Sequence, residues 1–137
     1  EVMLPPDHVV VRKLAPGVEH RIAVGDIDPT WQAVDLGPMA AKEFAEKIVN
    51  AKTIVWNGPM GVFEIPPFDT GTKAIAQALA QATGKGAKSV VGGGDSASAI
   101  EQLGLQDKIS HISTGGGASL EFLEGKKFKA IDVLDEK

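Results

Sequence analysis

The sequence predicts an α/β fold, a Rossmann-like parallel sheet with helices on both faces, and three observations carry that prediction. Short β-branched runs alternate with helix-period stretches through the second half of the chain, the pattern of parallel strands joined by helical crossovers. Two of those runs end in three consecutive glycines, Gly92–Gly94 and Gly115–Gly117, each leading into a helical pattern. Single glycines, Gly104 and Gly125, then close the two helices that follow.

Taken in order, Val9-Val10-Val11 after Pro5-Pro6 reads as a strand, and Arg21-Ile22-Ala23-Val24 as a weaker one ended by Gly25-Asp26. Asp28-Pro29-Thr30-Trp31 reads as a turn leading to the short apolar pair Val34 and Leu36. Pro38 opens a helix, a position where its missing N–H costs nothing. Ala41, Phe44, Ala45, Ile48 and Val49 then recur at helical spacing as far as Asn50. Thr53-Ile54-Val55-Trp56 is a buried-type strand stopped by Asn57-Gly58-Pro59. Ile75, Ala76, Leu79 and Ala80 give the stripe of a helix from about Thr70 to Thr83. Ser89-Val90-Val91 is a strand running into the first glycine turn, and Asp95 to Leu103 is a helix. Ile109-Ser110-His111-Ile112 is a strand running into the second turn, Ser119 to Leu123 a short helix, and Phe128 to Val133 a last strand. The Pro- and Gly-rich stretch Gly58–Phe68 also carries Met60, Val62 and Phe63, so it is expected to pack down as an ordered loop.

Composition narrows the function. At 137 residues, 43% hydrophobic and 23% charged, the chain has the make-up of one soluble globular domain. No apolar run approaches the roughly 20 residues of a membrane span. The start, Glu1-Val2-Met3-Leu4-Pro5-Pro6, lacks the marks of a signal peptide. Cysteine is absent, which excludes disulfides, thiolate chemistry and cysteine-bound zinc. These features predict a cytoplasmic protein with no membrane partner. The net charge is −4, and Arg12 and Arg21 are the sole arginines, so no basic face for nucleic acid is expected. The same shortage means that a small phosphorylated acid would have to be held by something other than an arginine cluster. No internal repeat, low-complexity segment or interdomain linker is visible.

The glycine turns carry the chemistry. In Val91-Gly92-Gly93-Gly94-Asp95-Ser96-Ala97 a side-chain-free turn lets backbone approach a ligand, and the following helix offers unpaired N–H groups that attract phosphate. The structural alternative is a tight turn with Asp95 as helix N-cap. Ser113-Thr114-Gly115-Gly116-Gly117-Ala118-Ser119 repeats the arrangement one βα unit later, which suits a polyphosphate or a phosphoryl group in flight. Gly92-x-Gly94-x-x-Ala97 also fits a dinucleotide fingerprint, but the next strand ends in Ile112, Ser113 and Thr114 without the carboxylate that would bind a ribose. A Walker A loop is absent. In Trp56-Asn57-Gly58-Pro59-Met60-Gly61-Val62-Phe63-Glu64, Asn57 suits a phosphate and Glu64 a sugar hydroxyl, although a plain turn and a solvated charge account for both equally well. His8, His20 and His111 are scattered and are assigned no chemistry; His111 reads as a packed strand residue.

These three motifs, in this order and spacing, resemble the C-terminal nucleotide domain of the phosphoglycerate kinase family over essentially the whole chain, with Asp35-x-Gly37-Pro38 as a fourth, shorter match. The resemblance implies phosphoryl transfer between 1,3-bisphosphoglycerate and ADP, giving 3-phosphoglycerate and ATP in glycolysis. It implies that residues 1–137 are part of a nucleotide-binding domain in a two-domain, monomeric enzyme. Glu64 would hold the ribose and Asn57 the nucleotide phosphates; Pro59 and Val62 would also contact the nucleotide, and Ala33 and Val34 would flank adenine. Gly93, Gly94, Asp95 and Ser96 would cradle the phosphates, with Asp95 the protein's link to Mg²⁺. Gly93, Gly115, Gly116 and Thr114 would line the path of the transferring group.

The sequence departs from the family pattern at Ala33-Val34-Asp35, where Gly-Leu-Asp is usual, and at Arg12-Lys13, where Ala-Asp is common. The resemblance further implies that the acid-binding N-terminal domain, and the lysines that neutralise the moving phosphoryl group, are not in this sequence. The expectation is therefore a fragment that carries part of the Mg-nucleotide site and is inactive alone. A non-catalytic folding or complementation fragment and a free-standing nucleotide-binding module are the alternatives.

Overall fold

The computed structural model describes residues 1–113 and 115–126. Thr114 and the expected closing strand Phe128–Val133 lie outside the described residues.

The first three strands are β1 (Asp7–Val11), β2 (His20–Val24) and β3 (Gln32–Leu36). They form an antiparallel sheet in the order β2-β1-β3, with Asp7 opposite Val24 and His8 opposite Leu36. The sequence marks these strands but not this pairing, because β-branched runs look alike in parallel and antiparallel ladders. At its tip Asp28 accepts hydrogen bonds from the Thr30 hydroxyl at 2.6 Å and the Thr30 N–H at 2.8 Å. Those bonds, the hydroxyl foremost, hold the Asp28 carboxyl below the usual carboxylate range. Both arginines stack on Trp31, with Arg21 at 3.9 Å and Arg12 at 5.2 Å from the ring centroid.

Helix α1 (Pro38–Val49) leads to β4 (Thr53–Asn57), and α2 (Thr70–Gly84) to β5 (Lys88–Gly92). Helix α3 (Gly94–Gln102) then leads to β6 (His111–Ser113), and α4 (Gly116–Leu123) follows. Strands β4, β5 and β6 form the parallel sheet in that order, flanked by helices, which is the α/β architecture expected. The last helix begins three residues earlier than its side-chain pattern suggests, because Gly116 and Gly117 form its first turn although glycine is a poor helix former. The expected strand Ile109–Ile112 is displaced to His111–Ser113 because Gln106–Lys108 takes up a 3₁₀ turn just before it. His111 is exposed rather than packed, since β6 ends the described sheet.

Strand β4 alternates: Ile54 and Trp56 are buried, whereas Val55 is 43% exposed on the opposite face. The covered face joins Leu36, Ile75, Leu79, Val91 and Ile100 in the main core. A second, smaller cluster of Val11, Val34 and Phe68 lies against the antiparallel sheet. The loop between β4 and α2 does pack down, burying Phe63 and all of Phe68, and the Phe68 side chain alone contributes about 2–3 kcal/mol.

Two buried carboxylates hold the strands to the helices. Asp7 accepts the Ala40 N–H at 2.8 Å and the Met39 N–H at 3.1 Å, while its carbonyl oxygen accepts the Gly37 N–H at 3.0 Å. Since Pro38 has no N–H, Asp7 satisfies the first two donors that α1 possesses. Asp35 accepts the Gly71 N–H in the first turn of α2 and the N–H of its neighbour Leu36, both at 2.8 Å. Burial pushes the Asp35 carboxyl up from its ordinary value, and the Gly71 and Leu36 N–H groups oppose that rise. Around these carboxylates no side chain fits: a Cβ at Gly37 would run into Asp7, and one at Gly61 or Gly71 into Asp35.

Candidate functional site

In a parallel sheet all strands deliver their carboxyl ends to one edge, which is why α/β proteins place ligands there. Asn57 lies opposite Gly92, and Gly92 opposite Ser113, so the ends of β4, β5 and β6 stand side by side. The three sequence motifs are thereby brought to one place. The Gly93 N–H donates to the Ser113 carbonyl at 3.0 Å, which binds the first glycine turn to the strand leading into the second.

Backbone closeness explains the glycines. A Cβ on Gly116 would lie 2.8 Å from the Gly93 Cα and 3.1 Å from its nitrogen, so the two turns touch main chain to main chain. The Asn57 Oδ1 sits against both, 3.1 Å from a Cβ built on Gly92 and 3.2 Å from one on Gly116. Gly93 adopts φ +96°, a conformation that L side chains rarely take. No comparable reason appears at Gly94 or Gly117, where a Cβ would meet nothing within 4 Å.

Serine hydroxyls lock the surrounding frame. The Gly58 N–H donates to the buried Ser96 Oγ at 2.7 Å, tying the loop after β4 to the first turn of α3. Ser113 Oγ lies 3.2 Å from Ser119 Oγ, which donates to the Gly115 carbonyl at 3.0 Å. Ser96 belongs to the motifs as read from sequence, whereas the clasp between Ser113 and Ser119 does not. The spacing of six positions that brackets the second turn is its sequence signal.

Helix α3 starts without a side-chain cap. Its N-cap is Gly93, and Asp95 sits inside the first turn, exposed, with no hydrogen-bond or ion-pair partner among the described residues. The alternative in which Asp95 serves merely as N-cap is therefore not what the geometry shows. The helix presents free N–H groups and the positive end of its dipole beside the glycine turns.

A cavity of about 380 Å³ opens at the near side of the antiparallel sheet. Ala33 and Val34 line one wall and Pro59 and Val62 the other, and the Val62 N–H donates to the Val34 carbonyl at 2.8 Å where the walls meet. Thr72 Oγ1 accepts the Met60 N–H at 3.0 Å and so fixes the loop to α2. Glu64 follows on the same loop, exposed, and does not line the cavity. His8, to which the sequence assigns nothing, does line it. Among the described residues no three acidic or histidine side chains gather as a ready-made metal cage.

Comparison with known proteins shows the family to which the chain is related. The sequence profile described as phosphoglycerate kinase matches residues 1–126. A phosphoglycerate kinase of Thermosipho africanus is 53% identical over 139 residues, covering 100% of this chain and 35% of that protein. A cytosolic phosphoglycerate kinase of Triticum aestivum is 52% identical over 137 residues, covering 99% of this chain and 34% of that protein. Among solved structures, phosphoglycerate kinase from Coxiella burnetii superposes with a TM-score of 0.83 at 43% identity, covering 90% of this chain and 32% of that one. The enzyme from Pyrococcus horikoshii gives a TM-score of 0.77 at 34% identity, covering 93% of this chain and 31% of that one. The chain thus spans about a third of the length of the curated relatives it matches.

Proposed function

The chain belongs to the phosphoglycerate kinase family, and from that premise we propose that residues 1–137 form part of a nucleotide-binding domain that holds Mg-ADP or Mg-ATP for phosphoryl transfer with 1,3-bisphosphoglycerate or 3-phosphoglycerate. The observation that carries this reading is the meeting of Asn57, Gly93 and Gly116 at one sheet edge, beside the uncapped start of α3. Phosphoryl transfer demands little covalent work from a protein and much positioning and positive potential. Two touching glycine turns and a free helix N-terminus are suited to that demand.

The resemblance implies the role of each residue, and the placement of those that are described supports it. The base would enter the cavity between Ala33 and Val34 on one side and Pro59 and Val62 on the other. Glu64, further along that loop, would accept from the ribose. Asn57, Gly93, Gly94 and Ser96 would surround the phosphates, and Gly93, Gly115, Gly116 and Thr114 would border the moving phosphoryl group. Asp95 fits a magnesium ion: a hard oxygen donor, exposed and uncommitted, suits a cation that uses one or two carboxylates and takes its other ligands from phosphate and water. When bound, that ion neutralises phosphate charge which Asp95 would otherwise repel.

The acid substrate is expected to bind outside this sequence, on other parts of the longer family polypeptide, as are the lysines that offset charge on the moving group. By this reading the parent protein is a monomeric cytoplasmic glycolytic enzyme and the 137-residue chain alone turns over negligibly. In a coupled ATP-formation assay the purified chain should stay at background; ordinary enzyme rates would sink that part. Titration calorimetry with ADP should show heat that depends on Mg²⁺ and disappears in Asp95→Ala, and Mg-independent or absent binding by the folded chain would refute the site. A second reading, a non-catalytic complementation module, draws on the exposed Val55 face of β4. It predicts that mixing with the remainder of a family polypeptide restores activity.

A further inference from the structure

The side chains that line the cavity assigned above to the nucleotide base are apolar except for those of Asp35 and His8. Ala33, Val34, Pro59 and Val62 are apolar, and both oxygens of Asp35 are already taken, by the Leu36 and Gly71 N–H groups. His8 is the exception. It stands on the central strand of the antiparallel sheet, opposite Leu36 on one side and Ala23 on the other. Its neighbour Asp7 is pinned to the start of α1, so the histidine is carried on backbone with little freedom.

The two ring nitrogens of His8 differ. Among the described residues Nδ1 is sealed from solvent and has no hydrogen-bond partner, whereas Nε2 is not sealed and makes no hydrogen bond. A proton on Nδ1 would be a buried N–H with no acceptor, a costly state. A proton on Nε2 can be accepted by water or by a ligand. Of the two imidazole tautomers, the environment thus favours the one that carries its proton on Nε2.

We infer that His8 is a base-reading residue, whose Nε2–H donates to a ring nitrogen of the purine held in this cavity. The inference rests on the nucleotide reading above and adds to it a residue that sets base specificity. A donor at this point matches the ring-nitrogen acceptors of adenine but not its 6-amino group, which is itself a donor. The apolar walls supply area without direction; His8 supplies direction.

Deaza nucleotides test it on the full 137-residue chain. ADP and its 1-deaza, 3-deaza and 7-deaza analogues, each with one ring nitrogen replaced by C–H, would be titrated against wild type and His8→Phe in the presence of Mg²⁺. In wild type one analogue should bind about three- to tenfold more weakly than ADP, the worth of one hydrogen bond. In His8→Phe, ADP should weaken by a similar factor and that analogue should lose nothing further. His8→Gln, which keeps a donor, should recover part of the discrimination, and circular dichroism verifies that each variant is folded. Equal factors for every analogue in wild type and His8→Phe would overturn the inference. If Mg-ADP binding is present and sensitive to Asp95→Ala but blind to His8, the inference alone fails. If wild type binds no Mg-ADP, the nucleotide site fails and takes the inference with it.

Discussion

Helices α1 and α2 on one side and α3 on the other solve the same problem in opposite ways. Every helix begins with backbone N–H groups that lack partners inside it. In α1 and α2 a buried carboxylate from a preceding strand fills that place, Asp7 for Met39 and Ala40, and Asp35 for Gly71. In α3 no described residue fills it: the N-cap is a glycine, and Asp95 in the first turn makes no cap bond. The difference separates scaffold from site. Where the protein supplies the anion the helix is anchored, and where it withholds the anion a ligand can supply it.

Four changes would break or sharpen that contrast. The largest effect is expected from Asp7→Ala, which strands two N–H donors in a buried place and should cost about 3 kcal/mol. Urea denaturation reads it, and in the fraction that stays folded Mg-ADP affinity should change less than twofold. A loss under 1 kcal/mol would show that the carboxylate is not an anchor. Gly116→Ala acts on the other side. Its Cβ would press on the Gly93 main chain, costing about 1–2 kcal/mol of stability. It should also weaken Mg-ADP binding at least tenfold by prising the two turns apart, and unchanged affinity would argue against a shared cradle.

Asp95→Asn should leave stability within about 0.5 kcal/mol, as expected for an exposed residue without partners among the described residues. Mg-ADP affinity, by contrast, should fall on the order of tenfold, and its dependence on Mg²⁺ should flatten. A large drop in stability would place Asp95 with the anchors. The smallest and most specific effect concerns Asp35. Its carboxyl is raised in the folded chain by burial, so folding binds its proton more tightly than the unfolded chain does. Its contribution to stability is then complete below the ordinary value near 3.8 and declines as pH rises through the raised value. Relative to Asp35→Asn, wild type should therefore gain stability on acidification from pH 7 towards 4. A wild type that loses stability relative to Asp35→Asn over that range would contradict the sign.

Much of this was legible from residues alone, and what was not has a physical reason. The parallel β4-β5-β6 unit is written in local signals, since apolar runs ending in glycine mark strand ends and helix starts at the same time. The meeting of Asn57 with Gly93 and Gly116 follows once those strands are set side by side. The antiparallel pairing of β1 with β2 and β3 was not legible, because Val9–Val11 and Arg21–Val24 carry no two-residue hairpin turn between them to fix register. Nor were the anchors: Asp7 and Asp35 reach partners 32 to 36 positions away, and no periodicity reports so distant a bond. His8 was passed over for a related reason. A lone histidine gains meaning from the nitrogen that is left unpartnered, which only the packed neighbours reveal.

The reach of those two aspartates has a consequence for how the molecule assembles. A helix capped by its own sequence can form its first turn early and locally. The first turns of α1 and α2 instead await a carboxylate that arrives only when β1 or β3 has docked, so non-local contact must precede local completion. Strand docking and helix completion are thereby fused into one cooperative event. The amides of Ala40 and Gly71 should exchange with deuterium at the slow pace of the strands, not at the fast pace of a fraying helix end.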